Sequence, residues 1–200
     1  MPGAEALNAR LRAHFLGLEA QGQAFRNPAP SLKQHAQVFE SDFTLFASTE
    51  PCVTELKAFC WARLGELVAE ANGYSQEQMA RIKIHSHTWF HITRRGGRVM
   101  LHNHPMASWS GVYCVDPGEA PDPHSESGVL RFHNPHFYSN TFLDAGNLKL
   151  LPPFHHGVWN HRFKAGQLVM FPSWLPHEVL PYEGERERIT VAFNCWFSGS

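Results

Sequence analysis

Apolar positions in the first part of the chain recur every three or four residues, which is the spacing of an amphipathic helix. This pattern predicts a first helix over residues 4–25. A second helix is predicted from Ser48 to Asn72, where Pro51 suits the first turn and Gly73 suits a stop. Residues 31–47 follow neither the helical nor the strand period. The first part of the chain is therefore expected to be mainly helical.

From residue 81 onward apolar and polar residues alternate in short runs, which glycine and proline turns separate. Because no helical pattern lies between these runs, they predict a mainly β barrel or sandwich rather than a parallel α/β sheet. We expect one domain over residues 1–200, in which helices of 1–80 buttress a β core of 81–200. Residues 134–156 look irregular and are expected to form a lid or binding loop. The predicted strands are 81–92, 99–104, 110–115, 128–133, 158–163, 166–171, 178–180 and 188–197.

Charge and composition narrow the possible partners and location. The net charge is −1 and no block of basic residues is present, which argues against nucleic acid as a partner. No apolar run approaches the roughly 20 residues that a membrane helix needs, and the N-terminus has no signal-peptide pattern. The four cysteines form no Cys-x-x-Cys motif and are interpreted as buried thiols in a reducing compartment. We therefore expect a soluble cytoplasmic protein.

Three histidines have the spacing of a metal site. His102 and His104 are two positions apart on a predicted strand, so both side chains point to one face. The fold would have to bring in His177, which lies 73 residues beyond His104. Imidazole suits iron, and three facial protein ligands leave coordination positions open. Arg188 follows His177 by 11 residues and shares a strand face with Thr190, where it could hold a carboxylate by a bidentate hydrogen bond.

Spacing alone does not select this pair of histidines. His85 and His87 have the same spacing on another predicted strand. The residues that follow His104 decide between the two pairs, because they belong to a recurring set of motifs. Four further histidines lie in or beside the irregular stretch and could reach the mouth of a pocket; they are His133, His136, His155 and His156.

Five motifs occur in order over roughly residues 85–197. They are His102-Asn-His104-Pro105, Ser110-Gly-Val-Tyr113, Phe171-Pro-Ser-Trp-Leu-Pro-His177, Arg188-Ile189 and Phe193-Asn194. In these motifs the chain resembles the Fe(II)/2-oxoglutarate-dependent oxygenase superfamily, and more narrowly a family of uncharacterised bacterial and phage proteins within it. The resemblance implies a double-stranded β-helix, a jelly-roll of eight core strands similar to the cupin fold, with iron near one open end.

The same resemblance implies cofactors, partners and site residues. It implies a dioxygenase of the hydroxylase type that uses Fe(II) and 2-oxoglutarate, with molecular oxygen and a small molecule or peptide side chain as its other reactants. His102, His104 and His177 would be the catalytic metal ligands. Arg188 would pair with the C5 carboxylate of 2-oxoglutarate, and the hydroxyl group of Thr190 would assist.

One residue departs from the superfamily's usual His-x-Asp or His-x-Glu pattern, because His104 stands where the carboxylate normally does. A third imidazole leaves the site one negative charge short, so the metal would hold anionic ligands harder. Asp116 or Glu178 could substitute for the carboxylate, although neither has the usual spacing. Two other functions remain open: a three-histidine iron dioxygenase that needs no 2-oxoglutarate, and a noncatalytic jelly-roll binding module.

Weaker candidates lie on the predicted strands around these motifs. Tyr113, on the strand that follows the His-x-His pair, could donate to the cosubstrate or substrate, or could simply be packed in the barrel. Asn194 lies four residues past Thr190 and therefore on the same strand face, where it could contact substrate or support a ligand. The sequence does not identify the substrate. The helical first third could also serve as the surface of a homodimer.

Overall fold

The structure is a computed structural model that describes residues 1, 3–29, 37–119, 122, 124–135, 142, 144–151 and 157–199. Its helical elements precede most of the strands. The α-helices are α1 (Glu5–Glu19), α2 (Pro51–Asn72) and α3 (Gln76–Ala80), and short 3₁₀ turns span Gly22–Phe25 and Leu45–Ala47. Within the described ranges, no helix combines the length and apolar character that crossing a membrane would take.

Nine strands of the described chain form two antiparallel sheets that face each other. The larger sheet has the order β1-β2-β9-β4-β7, and the smaller has the order β3-β8-β5-β6. From β2 to β9 the chain changes sheet at every step except between β5 and β6, which is the connectivity of a jelly-roll and confirms the predicted fold class. The strands are β1 (Val38–Glu40), β2 (Ile82–Thr93), β3 (Val99–His102), β4 (Trp109–Asp116), β5 (Leu130–His133), β6 (Val158–His161), β7 (Leu168–Pro172), β8 (His177–Val179) and β9 (Arg188–Gly199).

The helices cover the outer face of the larger sheet, as the apolar pattern predicted. Helix α2 begins at Pro51, whose missing N–H costs nothing in a first turn, and ends before Gly73 at φ +67°. The buried stripes of α1 and α2 join one apolar core with residues of β2, β4 and β9. This core removes the helices' apolar faces from water, which is the main stabilising term for such packing.

Strand β9 lies at the centre of the larger sheet and has two different faces. Its alternate residues Ile189, Val191, Phe193 and Cys195 belong to the core under the helices. The intervening residues, including Arg188, Thr190 and Asn194, line the space between the two sheets. The strand alternation inferred from sequence therefore places these three side chains on one face, as predicted.

Several predicted boundaries differ from the structure. The first helix ends at Glu19 rather than at residue 25, and a 3₁₀ turn begins at Gly22, whose φ of +72° lies outside the α-helical range. The strand predicted over 99–104 ends at His102. Strand β1 and helix α3 were not predicted. The single-domain organisation stays a prediction.

Candidate metal centre

Three histidines converge at one end of the space between the sheets. His102 is the last residue of β3 and His177 is the first of β8, and the two are directly opposed in the antiparallel ladder. His104 lies two residues beyond the end of β3. One ligand nitrogen from each imidazole lies within 4.8 Å of the others. The fold thus brings together the three histidines that sequence spacing selected.

Backbone carbonyls orient two of these imidazoles. Nδ1 of His102 lies 2.7 Å from the carbonyl oxygen of Met100, and Nδ1 of His177 lies 2.8 Å from that of Leu175. Since a carbonyl can only accept, each Nδ1 carries the hydrogen and each Nε2 carries the lone pair. Metal-binding histidines commonly have this arrangement, in which a hydrogen bond from one nitrogen fixes the tautomer. The donor set therefore fits a metal ion that prefers imidazole.

His104 is held by its backbone rather than by strand pairing. Its N–H donates to the carbonyl oxygen of Ser173 at 2.9 Å, and the N–H of Ser173 donates to Ser108 at 3.0 Å. Ser173 follows Pro172 in the corner between β7 and β8 and is completely buried. The long-range hydrogen bond to this corner explains how His104 keeps its place after β3 has ended.

The carboxylates that could have substituted for a ligand lie elsewhere. Glu178 points to the outer face of the smaller sheet, where its Oε1 lies 2.9 Å from Nε2 of His133. Asp116 accepts hydrogen bonds from Arg12 at 3.3 Å and from Arg186 at 3.1 Å. In the described part of the chain, the candidate metal group contains histidines alone. The structure therefore contradicts both proposed substitutions.

A cavity runs from the three histidines between the sheets. Strand β9 lines it with Arg188, Thr190 and Asn194, and Arg98 also borders it. No aspartate or glutamate is among the described residues that form its wall. Because two arginines border the cavity and none of the described wall residues is acidic, the cavity favours an anionic ligand.

Arg188 is the buried charge of this cavity. Its side chain is 4% exposed, and among the described residues its buried Nη2 has no hydrogen-bond partner. The guanidinium carbon lies 5.7 Å from the centre of the Phe163 ring. Burial lowers the pKa of Arg188, because removal from water disfavours its charged form. A carboxylate on this guanidinium would satisfy the buried N–H and offset the desolvation.

Tyr113 does not reach the cavity, contrary to one reading of the sequence. It faces the helices, is completely buried, and donates its hydroxyl hydrogen to Oδ1 of Asn8 at 2.8 Å. Burial raises the pKa of Tyr113. Ser110 on the same strand does line the cavity. The two residues are three positions apart, so the strand period places them on opposite faces.

The other histidine candidates are not brought to the metal group. His85 and His87 are exposed, and both lie against the ring of Trp196 near the far end of β2. His133 projects outward beside Glu178. The remaining candidates fall outside the described residues; they are His136, His155 and His156.

Sequence reasoning missed His91, which also borders the cavity. Its Nε2 lies 2.9 Å from Oε2 of Glu40, a buried carboxylate that also accepts a hydrogen bond from Asn27 at 2.7 Å. His91 is two residues past Trp89 on β2, and Trp89 borders the cavity too. The alternation along this strand was the available signal.

A row of four rings crosses the inner face of the smaller sheet. The ladder places His102 opposite His177, His177 opposite Phe132, and Phe132 opposite Trp159. The ring centres of successive members are 4.4, 6.1 and 5.7 Å apart. Trp159 on the edge strand is 61% exposed. The row therefore extends from the candidate metal group to an exposed indole at the edge of the sheet.

A family comparison identifies a group of proteins to which the chain is similar. The family described as "Putative 2OG-Fe(II) oxygenase" matches residues 87–194, which is more than half of the chain. The matched region begins in β2 and ends at Asn194, so it contains the three histidines and Arg188. No curated protein sequence matches the chain.

Solved structures of low sequence identity share the fold. A prolyl-4-hydroxylase from Pseudomonas putida is 21% identical with a TM-score of 0.60, over 96% of this chain and 86% of that one. A prolyl hydroxylase from Trichoplax adhaerens, bound to a hypoxia-inducible-factor peptide fragment, is 14% identical with a TM-score of 0.61, over 96% and 78%. HygX from Streptomyces hygroscopicus, with nickel and 2-oxoglutarate bound, is 13% identical with a TM-score of 0.56, over 100% and 82%.

Proposed function

Because the chain belongs to the 2OG-Fe(II) oxygenase family, we propose that it oxidises a C–H bond of an organic substrate at an iron ion held by His102, His104 and His177. In this reaction one oxygen atom of O₂ enters the substrate as a hydroxyl group and the other enters 2-oxoglutarate, which leaves as succinate and carbon dioxide. Iron and 2-oxoglutarate supply the oxidising chemistry, and the protein binds, orients and shields the reactants.

The observation that carries this proposal is the unsatisfied guanidinium of Arg188 in a cavity that also contains the three histidines. Arg188 would bind the carboxylate at the far end of 2-oxoglutarate through two parallel hydrogen bonds. The hydroxyl group of Thr190 would donate a further hydrogen bond from the same strand face. Phe163 restricts the position of the guanidinium, so less conformational freedom is lost on binding.

The histidines have two roles in this proposal. Their imidazoles would hold the metal through nitrogen lone pairs, in the tautomers that Met100 and Leu175 fix for two of them. Since all three ligands are neutral, they would leave the full charge of a divalent ion to attract an anion. This charge, together with Arg188, favours a dianion such as 2-oxoglutarate over a neutral ligand.

Substrate would approach from the open end of the cavity. Trp159 on β6 and Trp174, in the turn three residues before His177, are both exposed. The structurally similar proteins include a hydroxylase bound to a peptide fragment and HygX bound to hygromycin B. We propose a small molecule or a peptide side chain as the substrate, and both classes belong in a first screen.

The test begins with binding and proceeds to turnover. Protein loaded with Ni(II), which imidazole binds well, is titrated with 2-oxoglutarate by calorimetry. The wild type is expected to bind one nickel ion and one 2-oxoglutarate, whereas His102→Ala and His177→Ala are expected to lose nickel. The matched control is His85→Ala, which removes an exposed histidine of the same His-x-His spacing and should change neither. Succinate release with Fe(II) and oxygen then reports turnover on the substrate panel.

Two outcomes distinguish the alternatives. Wild-type protein that retains stoichiometric metal but does not bind 2-oxoglutarate would contradict the proposal and favour a three-histidine oxygenase that binds its substrate directly. Protein that retains no metal would favour a noncatalytic binding module.

Location and assembly are further proposals that follow from sequence. All four cysteines are free and buried, which supports the reducing cytoplasmic compartment expected for them. The homodimer through the helical first third and the absence of a nucleic-acid partner stay predictions, which light scattering and a nucleic-acid binding assay would check.

A further inference from the structure

Two buried serines fix the orientation of Asn194. The hydroxyl group of Ser110 donates to Oδ1 of Asn194 at 2.7 Å. The hydroxyl oxygens of Ser110 and Ser173 are 2.8 Å apart. Since Ser110 has one hydroxyl hydrogen and gives it to Asn194, Ser173 must donate to Ser110. The chain of hydrogen bonds therefore runs from Ser173 through Ser110 to the amide oxygen of Asn194.

In this orientation the NH₂ group of Asn194 is available to donate a hydrogen bond to a ligand in the cavity. Asn194 is half-buried and borders the cavity. Its Nδ2 donates to none of the residues that the structure describes, whereas Oδ1 is already engaged by Ser110. The cavity thus receives a hydrogen-bond donor from Asn194 rather than an acceptor.

The same serine corner ties Asn194 to the candidate metal group. Ser173 donates through its hydroxyl to Ser110, and its carbonyl oxygen accepts from the N–H of His104 at 2.9 Å. Three consecutive hydrogen bonds therefore connect His104 to the Asn194 amide. Arg188 lies at the other end of the stretch of β9 that borders the cavity. The two ends of this stretch present an amide donor and a guanidinium.

A carboxylate bound at the metal would be a suitable acceptor for this donor. A carboxylate bound at the metal needs donors for its outer oxygen, and an amide NH₂ provides one without adding charge. No acidic side chain among the described wall residues would compete for that donor. A keto acid that spans the cavity has one carboxylate at each end, which matches one donor group at each end of β9.

We propose that Asn194 donates a hydrogen bond to the metal-side carboxylate of 2-oxoglutarate, and that Ser110 and Ser173 act as positioning residues for its amide. This inference rests on the proposed function. It assigns the two carboxylates of the keto acid to different residues, one to Arg188 and the other to Asn194.

Two probes separate the two ends in Ni(II)-loaded protein. Oxalate carries the adjacent carboxylates that bind at a metal but has no distant carboxylate, and 2-oxoglutarate has both ends. Asn194→Leu keeps the side-chain size and removes the donor. It is expected to lower the affinity for both probes by about tenfold or more, the usual effect of losing a hydrogen bond to a charged group. Ser110→Ala should weaken both probes by a smaller factor.

Two variants serve as references in the same calorimetric titrations. Arg188→Met is expected to weaken the binding of 2-oxoglutarate but to leave oxalate affinity within about twofold, because oxalate has no distant carboxylate that could reach Arg188. Asn160→Leu removes an asparagine of β6 that lies outside the cavity wall and hydrogen-bonds to Arg131 and Glu126. It should change neither affinity. Nickel content is measured before and after each titration, so that loss of metal is not mistaken for loss of anion binding.

A second substitution keeps the proposal testable if Asn194→Leu does not fold. Asn194→Asp preserves the shape and the acceptor for Ser110 but replaces NH₂ with a charged oxygen, so it should weaken oxalate more than Asn194→Leu does. Wild-type oxalate affinity in either folded variant overturns the proposal and leaves Asn194 to contact the substrate. Failure of the wild type to bind 2-oxoglutarate, or equal weakening of both probes by Arg188→Met, instead overturns the proposed function.

Discussion

Gly128 lies directly against the side chain of Arg188. A Cβ atom at position 128 would stand 3.0 Å from Cδ and 3.1 Å from Nε of Arg188, closer than most such contacts allow. Gly128 also has φ of +62°, a conformation that other residues adopt at a cost. The position therefore needs glycine both for its backbone conformation and for the space that the arginine occupies.

Gly128→Ala is expected to displace Arg188 and to weaken 2-oxoglutarate binding by about tenfold, since a bidentate charged hydrogen bond depends on alignment. It should also lower the free energy of unfolding by about 1 kcal/mol through the positive φ. The control is Gly73→Ala, which has φ of +67° but no atom within 4 Å of the new methyl group. Calorimetry and urea unfolding should find a similar stability loss in the control with wild-type affinity. Equal affinities in the two variants would show that the contact with Arg188 is unimportant.

Arg188→Met should separate binding from stability. It is expected to weaken 2-oxoglutarate binding by about tenfold to hundredfold, because hydrogen bonds to a charged group are lost. Without 2-oxoglutarate the free energy of unfolding should stay unchanged or rise, because a buried and incompletely paired guanidinium is replaced by an apolar side chain. Calorimetry and urea unfolding measure the two effects.

The control for that variant is Arg186→Met, two residues earlier in the chain. Arg186 is exposed and hydrogen-bonds to Asp116 at 3.1 Å. Its loss should leave 2-oxoglutarate affinity at the wild-type value. A clear drop in stability for Arg188→Met in the absence of ligand would mean that the guanidinium stabilises the fold rather than serving a ligand.

Tyr113→Phe should destabilise the protein without affecting the cavity. The substitution removes the donor to Asn8 and leaves a buried amide oxygen without its 2.8 Å partner, which typically costs about 1–2 kcal/mol. Urea unfolding measures this loss, and the exposed Tyr74 offers the matched control Tyr74→Phe. The affinity of the nickel form for 2-oxoglutarate should equal that of the wild type. A weaker affinity for 2-oxoglutarate would instead indicate that Tyr113 contributes to cosubstrate binding.

His161 should make stability depend on pH. Burial lowers the pKa of His161 below its ordinary value of 6.5, although Gln167 partly opposes the shift, and Nε2 is buried without a partner in the described chain. As pH falls through about 6.5 the unfolded chain binds a proton before the folded one, so this contribution to stability is present above that pH and is lost below it. In metal-free protein, His161→Gln should therefore lose less stability between pH 7 and pH 5 than the wild type. His124→Gln, at an exposed histidine, should retain the wild-type profile, and overlapping profiles for all three proteins would refute the assignment.

Local patterns were sufficient to predict one side of the cavity. The two-residue period of a strand placed Arg188, Thr190 and Asn194 on one face before any fold was known, and the structure has them there. The histidines needed more than local pattern, because His85-x-His87 has the same spacing as His102-x-His104. The motifs around the second pair, and their resemblance to a family, supplied the missing long-range information.

Other features depend on contacts that no local pattern contains. The strand with Tyr113 is buried on both faces, so polar and apolar residues do not alternate clearly and the sequence left the orientation of Tyr113 open. The backbone of His104 is held by Ser173, which is distant in sequence. Gly128 was interpreted only as the start of a strand, because its contact with Arg188 exists only after the two sheets have formed. These long-range pairings arise from tertiary packing.

Trp159 and His177 belong to one row of rings but lie on different strands. The exposed ring can therefore be replaced without changing the strand that carries the metal-ligand candidate. His177 lies on the inner strand β8 and His102 on the edge strand β3, whereas the indole lies on the opposite edge strand β6, two strands from His177. Replacing that one exposed ring would change the edge of the ring row without disturbing the strands that carry His102 and His177. Under the proposed function, varying position 159 would change the entrance for substrate while the metal-ligand candidates stay in place.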